Sequence, residues 1–182
     1  PSAAAGVEEY DEPVVDRVGK CYNRRICMDD ARLKNVLEIA IKKEQEAYDF
    51  YMDLRKKVDD PSAKDTLKFM AAEELKHKEF LTACHSGSYC SSSLKMDAVI
   101  DYGIIEHVKK PDLKKNMSSA EVYLVAADRE LNSHNFYKDL AASYPAGEVR
   151  DMLLKMANEE LKHKEKVEYL YSNTAFPQTA GG

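Results

Sequence analysis

Two parts of this 182-residue chain repeat each other at a fixed offset of 86 residues. Residues 65–80 and 151–166 share eleven identities in sixteen positions, including the run EELKHKE in both copies. A weaker similarity in the same register extends the repeat back to residues 36 and 122, so the copies align over 45 residues without a gap. A duplicated unit is the simplest explanation, and it predicts the same local structure in both halves of the fold.

The apolar spacing within each copy is typical of two long helices. The predicted helices cover residues 30–58, 61–84, 118–143 and, following Pro145, up to about residue 171. Asp29 or Asp30 is the expected N-cap of the first helix, and Pro61 suits the first turn of the second. Ser118 and Glu121 have the spacing of a capping box at the start of the third.

The lengths of the connections predict how these helices are arranged. The first and second helices, and the third and fourth, are separated by only a few residues, so each pair forms an antiparallel hairpin. A long crossover, residues 85–117, joins the hairpins, and a short helix is expected near 97–107. The predicted fold is all-α: a four-helix bundle made of two repeated helical hairpins joined by a long crossover. The expected domain organisation is an N-terminal arm, 1–29, the bundle, 30–172, and a C-terminal tail, 173–182.

Composition excludes several other classes of protein. Seven glycines and six prolines are too few for the turns of a β-sandwich or β-barrel, and a net charge of −5 does not fit nucleic-acid binding. The longest apolar run, 122–127, cannot span a membrane. The first nine residues lack a basic start and an apolar stretch, so no secretory signal is predicted and a cytoplasmic location is expected.

The apolar seam of each predicted helix is interrupted near its middle by residues that can bind metal. These residues are Glu44, Glu74, His77, Glu130, Glu160 and His163. One Glu-x-x-His motif is a weak signal, but two copies at one offset, matched by two further seam glutamates, are a strong one. Four buried carboxylates would be prohibitively costly unless cations balanced them, and two divalent ions supply the required charge. Carboxylate and imidazole together suit iron or manganese better than a closed zinc site.

Over residues 31–171 the chain resembles the rubrerythrin branch of the ferritin-like superfamily. The resemblance rests on Glu44 followed by YDFY, on the two ELKH motifs that begin at Glu74 and Glu160, and on Glu130 followed by FY at 136–137. It implies a ferritin-like bundle, a dinuclear iron site with the six ligands above, and a homodimer. Glu74 and Glu160 are the implied bridging ligands. Manganese is the alternative metal.

Two features depart from the family pattern. Peroxidase-type rubrerythrins usually carry an extra glutamate one turn after the third-helix ligand, where this chain has Ser133, whose repeat mate is Ala47. They also usually carry a rubredoxin-like domain with two Cys-x-x-Cys motifs, and neither motif occurs here. The resemblance therefore implies an external electron donor, such as a separate rubredoxin-like protein.

Four aromatic residues near the seam glutamates are candidates for further roles. Tyr51 and Tyr137 are expected to be core residues with hydrogen-bonded hydroxyl groups. Tyr48 and its repeat mate His134 are the candidate catalytic residues, as proton donors to a bound oxidant. For His134, a role as a replacement ligand and a purely structural role stay open.

The four cysteines form two equally spaced pairs, Cys21/Cys27 and Cys84/Cys90. The spacing does not match a zinc or iron–sulfur motif. For a cytoplasmic chain we expect four reduced thiols, in preference to disulfides or a second metal site.

Three functions are compatible with these features. The leading hypothesis is a diiron peroxidase or oxidase that reduces hydrogen peroxide, or dioxygen, to water. The second is a ferroxidase that oxidises iron for storage or detoxification. The third is a non-catalytic bundle that the metals stabilise and that binds a partner.

Overall fold

In the computed structural model, residues 24–86 and 94–176 are described, with side chains from residue 31 onward. The described residues form four α-helices and no β-strand, which confirms the all-α, ferritin-like four-helix bundle. The helices are α1 (Arg24–Leu54), α2 (Pro61–His85), α3 (Ser119–Ala142) and α4 (Glu148–Ala175), and a 3₁₀ helix, η1 (Arg55–Lys57), follows α1. No described helix has the length and apolar character needed to cross a membrane.

Two of the helix starts follow directly from local chemistry. The Asp60 carboxylate accepts hydrogen bonds from the backbone N–H groups of Ser62 and Ala63, which caps α2 ahead of Pro61. Ser118 and Glu121 form the predicted capping box at α3, each side chain accepting from the backbone N–H of the other. Helix ends that carry their own capping residues are therefore placed correctly from sequence.

The predicted start of α1 is wrong. The helix begins at Arg24 and runs through Asp29 and Asp30, which are not its N-cap. Asp in a helix interior costs only about 0.7 kcal/mol relative to Ala, so an aspartate pair does not oblige a helix to start there. At its other end α1 stops at Leu54, tightens into η1, and Val58 then forms an isolated parallel bridge with Met117.

The short helix predicted near 97–107 is absent from the described part of the crossover. Residues 94–104 have no helical structure, and only a turn follows, closed by a hydrogen bond from His107 N–H to the Ile104 carbonyl. Gly103 has a φ of 61°, outside the right-handed helical region. The backbone of this segment is instead bound by α4, because Asp97 N–H donates to the Asn158 side chain and Ile105 N–H to the Glu168 carboxylate.

By internal contacts the chain divides into two compact units, 1–36 and 37–182. All of the site described below lies in the second unit. The core of that unit is built from fully buried side chains of all four helices, including Tyr51, Leu67, Met70, Val122 and Val167. Such a core fixes the register of the helices, and with it the depth of the polar residues they carry.

Candidate metal centre

All four helices place metal-binding side chains at one level of the core. α1 supplies Glu44, α3 supplies Glu130, and α2 and α4 each supply a Glu-x-x-His pair; every one of the six side chains is buried. Four of them, Glu74, His77, Glu160 and His163, have ligand atoms within 4.8 Å of one another and could hold a metal ion. The structure thus brings together the residues that the repeat singled out.

The six side chains form two half-sites that a carboxylate spans. Glu44 Oε2 lies 3.7 Å from His77 Nδ1, and Glu130 Oε2 lies 3.5 Å from His163 Nδ1. The two oxygens of Glu74 face different imidazoles, Oε2 at 3.8 Å from His77 Nδ1 and Oε1 at 3.4 Å from His163 Nδ1. This is the placement that a bridging carboxylate requires.

Glu160 and the two imidazoles complete the cluster. Glu160 Oε1 lies 3.1 Å from His77 Nδ1, on the opposite hairpin. The His77 and His163 rings stack with centroids 5.2 Å apart and an interplanar angle of 14°. Each ring has its Nδ1 within 4 Å of at least two cluster carboxylates.

Most of the ligand atoms in this cluster lack hydrogen-bond partners. The buried atoms without a partner include both oxygens of Glu74 and of Glu160, Oε2 of Glu130, and Nδ1 of His77 and of His163. A buried polar atom without a partner costs roughly 1–3 kcal/mol, and more when the group is charged. Seven such atoms facing one another form a donor set that cations can satisfy, and their chemistry fits iron.

The pKa values show the electrostatic strain of the cluster. Burial raises the pKa of Glu44 to about 7, and burial with the nearby Glu74 charge raises that of Glu160 well above its ordinary value. Burial would lower the pKa of His163, but Glu130 and Glu74 outweigh it and raise the value to about 10. Without metal, protons on Glu44, Glu160 and the two imidazoles offset part of the charge, whereas the imidazoles outweigh burial at Glu74 and lower its pKa.

Two buried tyrosines join the half-sites across the bundle. The Tyr51 hydroxyl donates to Glu130 Oε1, and the Tyr137 hydroxyl donates to Glu44 Oε1. The tyrosines are repeat mates and so are the glutamates, so the two bonds are related by the duplication. Both phenols are fully buried, which agrees with the predicted hydrogen-bonded core role.

The structure does not bring the two candidate catalytic residues into direct contact with the cluster. Tyr48 is half-buried against the core, and within the described residues no hydrogen bond joins it to a cluster carboxylate. His134 Nδ1 lies 2.7 Å from the Ala157 carbonyl oxygen. Because a carbonyl only accepts, Nδ1 carries the proton, and Nε2 is left as the exchangeable nitrogen. Their catalytic roles stay predictions.

Sequence reasoning missed a pair of cation–π contacts beside the centre. Lys43 Nζ lies 4.8 Å from the Phe136 ring centroid, and the Arg129 guanidinium carbon lies 5.5 Å from that of Phe50. Lys43 and Arg129 are repeat mates, as are the two phenylalanines, and each cation immediately precedes a cluster glutamate. The 86-residue offset could have identified them, because both pairs keep their chemical type in both copies.

A second buried ionic cluster, on the outer side of α4, was also missed. Lys164 is fully buried, and its Nζ lies 2.5 Å from Asp101, 2.9 Å from Glu106 and 3.4 Å from Glu168. Lysines in a Lys/Glu-rich helix usually lie on a solvated face. The crossover covers this face of α4, which no helical periodicity could show.

The expectation of four reduced thiols is wrong at Cys84, which is disulfide-bonded. Its side chain is buried near the end of α2. The side chains of Cys21, Cys27 and Cys90 lie outside the described residues. The expectation drawn from a reducing compartment is therefore wrong at Cys84, the one cysteine whose side chain is described.

A helical bundle whose core holds two Glu-x-x-His motifs and two further glutamates has the residue pattern of the carboxylate metal sites in ferritin-like bundles. Comparison with protein families agrees: the family model described as Rubrerythrin matches residues 11–85. The match is consistent with a rubrerythrin-like member of the ferritin-like diiron proteins, a family that binds iron. No curated protein and no solved structure matches the chain significantly.

Proposed function

We propose that the protein is a non-haem diiron oxidoreductase that reduces hydrogen peroxide, or dioxygen, to water with electrons from an external donor. The observation that carries the proposal is the set of seven buried, unpartnered ligand atoms in the core. A set of this kind is costly to maintain in a fold that needs no metal. The external donor in this proposal is a rubredoxin-like protein.

The residues divide into two equivalent groups. Glu44 and His77 would hold one iron, and Glu130 and His163 the other. Glu74 would bridge, since its two oxygens face different imidazoles, and Glu160 would be the second bridge. When bound, a pair of adjacent ferrous ions supplies the two electrons that cleavage of an O–O bond requires. Manganese is the alternative occupant, because it prefers the same ligands.

Around this site, the chain's own side chains orient ligands, exclude water and hold protons. The Tyr51 and Tyr137 hydroxyls each hold one oxygen of a terminal glutamate, which leaves the second oxygen free to face an imidazole. The six cluster residues are at most 6% exposed, so bulk water is excluded. His134 is proposed to pass on a proton that Nε2 first takes up, because Nδ1–H donates to the Ala157 carbonyl and fixes the ring, and Tyr48 is the alternative donor.

Anaerobic loading with two ferrous ions per chain, followed by stopped-flow mixing, tests the proposal. Hydrogen peroxide and dioxygen are added to parallel samples, and the near-ultraviolet absorption of oxo-bridged ferric iron is followed. We expect both ferrous ions to be oxidised in the first turnover and to stay bound to the protein. Continued uptake of iron beyond two per chain would indicate a ferroxidase instead. If neither oxidant oxidises the iron, the third hypothesis, a non-catalytic bundle stabilised by metal, would be favoured.

A pair of neighbouring substitutions tests the ligand assignment independently of turnover. Glu160→Ala should abolish binding of two metal ions per chain. Glu159→Ala is the matched control, because Glu159 is the preceding residue and forms an ion pair with Lys162 at 2.9 Å instead of entering the cluster. Metal content after gel filtration is the measurement. Two tightly bound ions in Glu160→Ala would contradict the assignment.

A further inference from the structure

A cleft of about 580 Å³ opens where α1 ends and α3 is about to begin. Its lining comes from two segments, the end of α1 with η1 and the last residues of the crossover: Phe50, Asp53, Leu54, Lys56, Lys57, Leu113, Lys115 and Asn116. The volume lies within the range of small-molecule sites, about 300–1,000 Å³. None of these residues belongs to the metal cluster.

The walls of the cleft are held together by backbone pairing. Val58 and Met117 form a parallel bridge, and Met117 N–H donates to the Lys57 carbonyl oxygen at 2.9 Å. Asn116 sits beside this bridge with a φ of 56°, in the left-handed region that asparagine tolerates. The two segments are therefore fixed relative to each other, so the cleft is formed before any ligand arrives.

The lining combines an apolar floor with a positive rim. Phe50, Leu54 and Leu113 supply the apolar surface, and Leu113 is 53% exposed although it is a large aliphatic residue. Three lysines face one aspartate, in a chain whose net charge is −5.

Two of those lysine charges are uncompensated. Lys56 forms an ion pair with Asp53 at 2.7 Å, whereas Lys57 and Lys115 have no ion-pair partner within the described residues. A third cation contacts one lining residue, because the Arg129 guanidinium packs on Phe50 with its Nε and Nη2 atoms buried and unpartnered. The cleft thus has an excess of positive charge.

We propose that this cleft binds a small planar aromatic anion that carries a phosphate. The aromatic ring would lie against Phe50 and Leu113, and the phosphate would lie between Lys57 and Lys115. An aromatic body fits because the Phe50 ring forms part of the floor, and aromatic pairs attract beyond the effect of burial alone. A phosphate fits because two lysine charges share one rim without a counterion.

Flavin mononucleotide and riboflavin form a matched pair of probes, since they differ only in the phosphate. Binding to the metal-free protein is measured by quenching of flavin fluorescence. We expect saturable binding of one flavin mononucleotide per chain, with riboflavin bound at least tenfold more weakly. Raising the salt concentration should weaken the binding of the phosphate form more than that of riboflavin.

Substitutions locate the binding in the cleft. Lys57→Gln with Lys115→Gln should weaken flavin mononucleotide about tenfold, and Leu113→Ser tests the apolar floor at an exposed position that the fold does not need. Lys68→Gln with Lys138→Gln is the control, because it removes two exposed lysines elsewhere. Urea unfolding of each variant confirms that the fold is kept.

Three outcomes would overturn the inference: no saturable binding, equal affinity for the two probes, or equal affinity in cleft and control variants. Displacement of flavin mononucleotide by an equal concentration of inorganic phosphate would also do so, because the ring would then contribute nothing. The assay uses metal-free protein. Its failure is therefore distinct from failure of the proposed oxidoreductase function, which depends on bound iron.

Discussion

The hydroxyl groups of Tyr51 and Tyr137 offer the sharpest test of how the centre is built. Replacing either tyrosine by phenylalanine keeps the buried ring and removes only the donor to a cluster carboxylate. Loss of a hydrogen bond to a buried carboxyl group costs about 1–3 kcal/mol. For a chain of this size that corresponds to a fall in Tm of about 2–12 °C. Both bonds end on the same cluster of carboxylates and imidazoles, so the double variant should depart from the sum by about 0.5–3 kcal/mol.

Urea unfolding of the metal-free variants, followed by far-ultraviolet circular dichroism, measures these losses. Tyr48→Phe is the matched control: it removes the same atom from a half-buried tyrosine and should change the free energy of unfolding by less than about 0.5 kcal/mol. Because the duplication relates the two buried bonds, Tyr51→Phe and Tyr137→Phe should cost about the same. The reasoning is refuted if either costs no more than the control, or if one costs several times as much as the other.

Three further perturbations address other parts of the structure. Lys164→Met should cost about 3–5 kcal/mol in urea unfolding, because it leaves the buried Glu168 carboxylate uncompensated, and adding Glu168→Leu should restore only part of the loss, since Ile105 N–H then loses its acceptor. The Lys114 ammonium and the Ser118 cap lower the pKa of Glu121 from 4.5 to about 2, and burial opposes this shift only weakly. The ionised Glu121 carboxylate therefore stabilises the fold fully above pH 4.5, and its contribution declines as pH falls towards 2. Thermal unfolding between pH 5 and 3 should accordingly show a steeper loss for the wild type than for Glu121→Gln. Ferrous or manganous ion at 100 times its Kd should stabilise the wild type by about 2.7 kcal/mol for each ion bound but leave the Tm of Glu74→Gln nearly unchanged, as measured by anaerobic calorimetry.

The sequence predicted the centre because the duplication supplied an internal comparison. A single Glu-x-x-His motif in a Lys/Glu-rich helix does not indicate whether its side chains face the core or the solvent. Two motifs at one offset, each on an apolar seam, leave only the core as the place where both can lie. The same logic places Glu44 and Glu130, which have no local motif at all. The structure brings all four positions to one level, with the imidazoles of the two motifs stacked.

The sequence could not predict the crossover, because no repeat and no periodicity constrain it. The short helix expected near 97–107 has no repeat mate that could support or exclude it. The backbone groups of this segment instead pair with side chains of α4, namely Asn158 and Glu168. Such pairing depends on which residues meet in three dimensions, and a helical pattern on α4 alone does not reveal it.

The crossover also explains why the two copies diverge where they do. Lys164 and Glu168 are fully buried, whereas their repeat mates are the half-buried Lys78 and the exposed Thr82. A single connection can cover only one of two related helix faces, so it creates an ionic cluster on α4 that α2 has no reason to share. Residues that face the bundle core, by contrast, meet the same surroundings in both copies and stay alike. Repeat mates that differ in residue type therefore indicate which helix face the crossover covers. Repeat mates that are identical indicate the residues that face the centre.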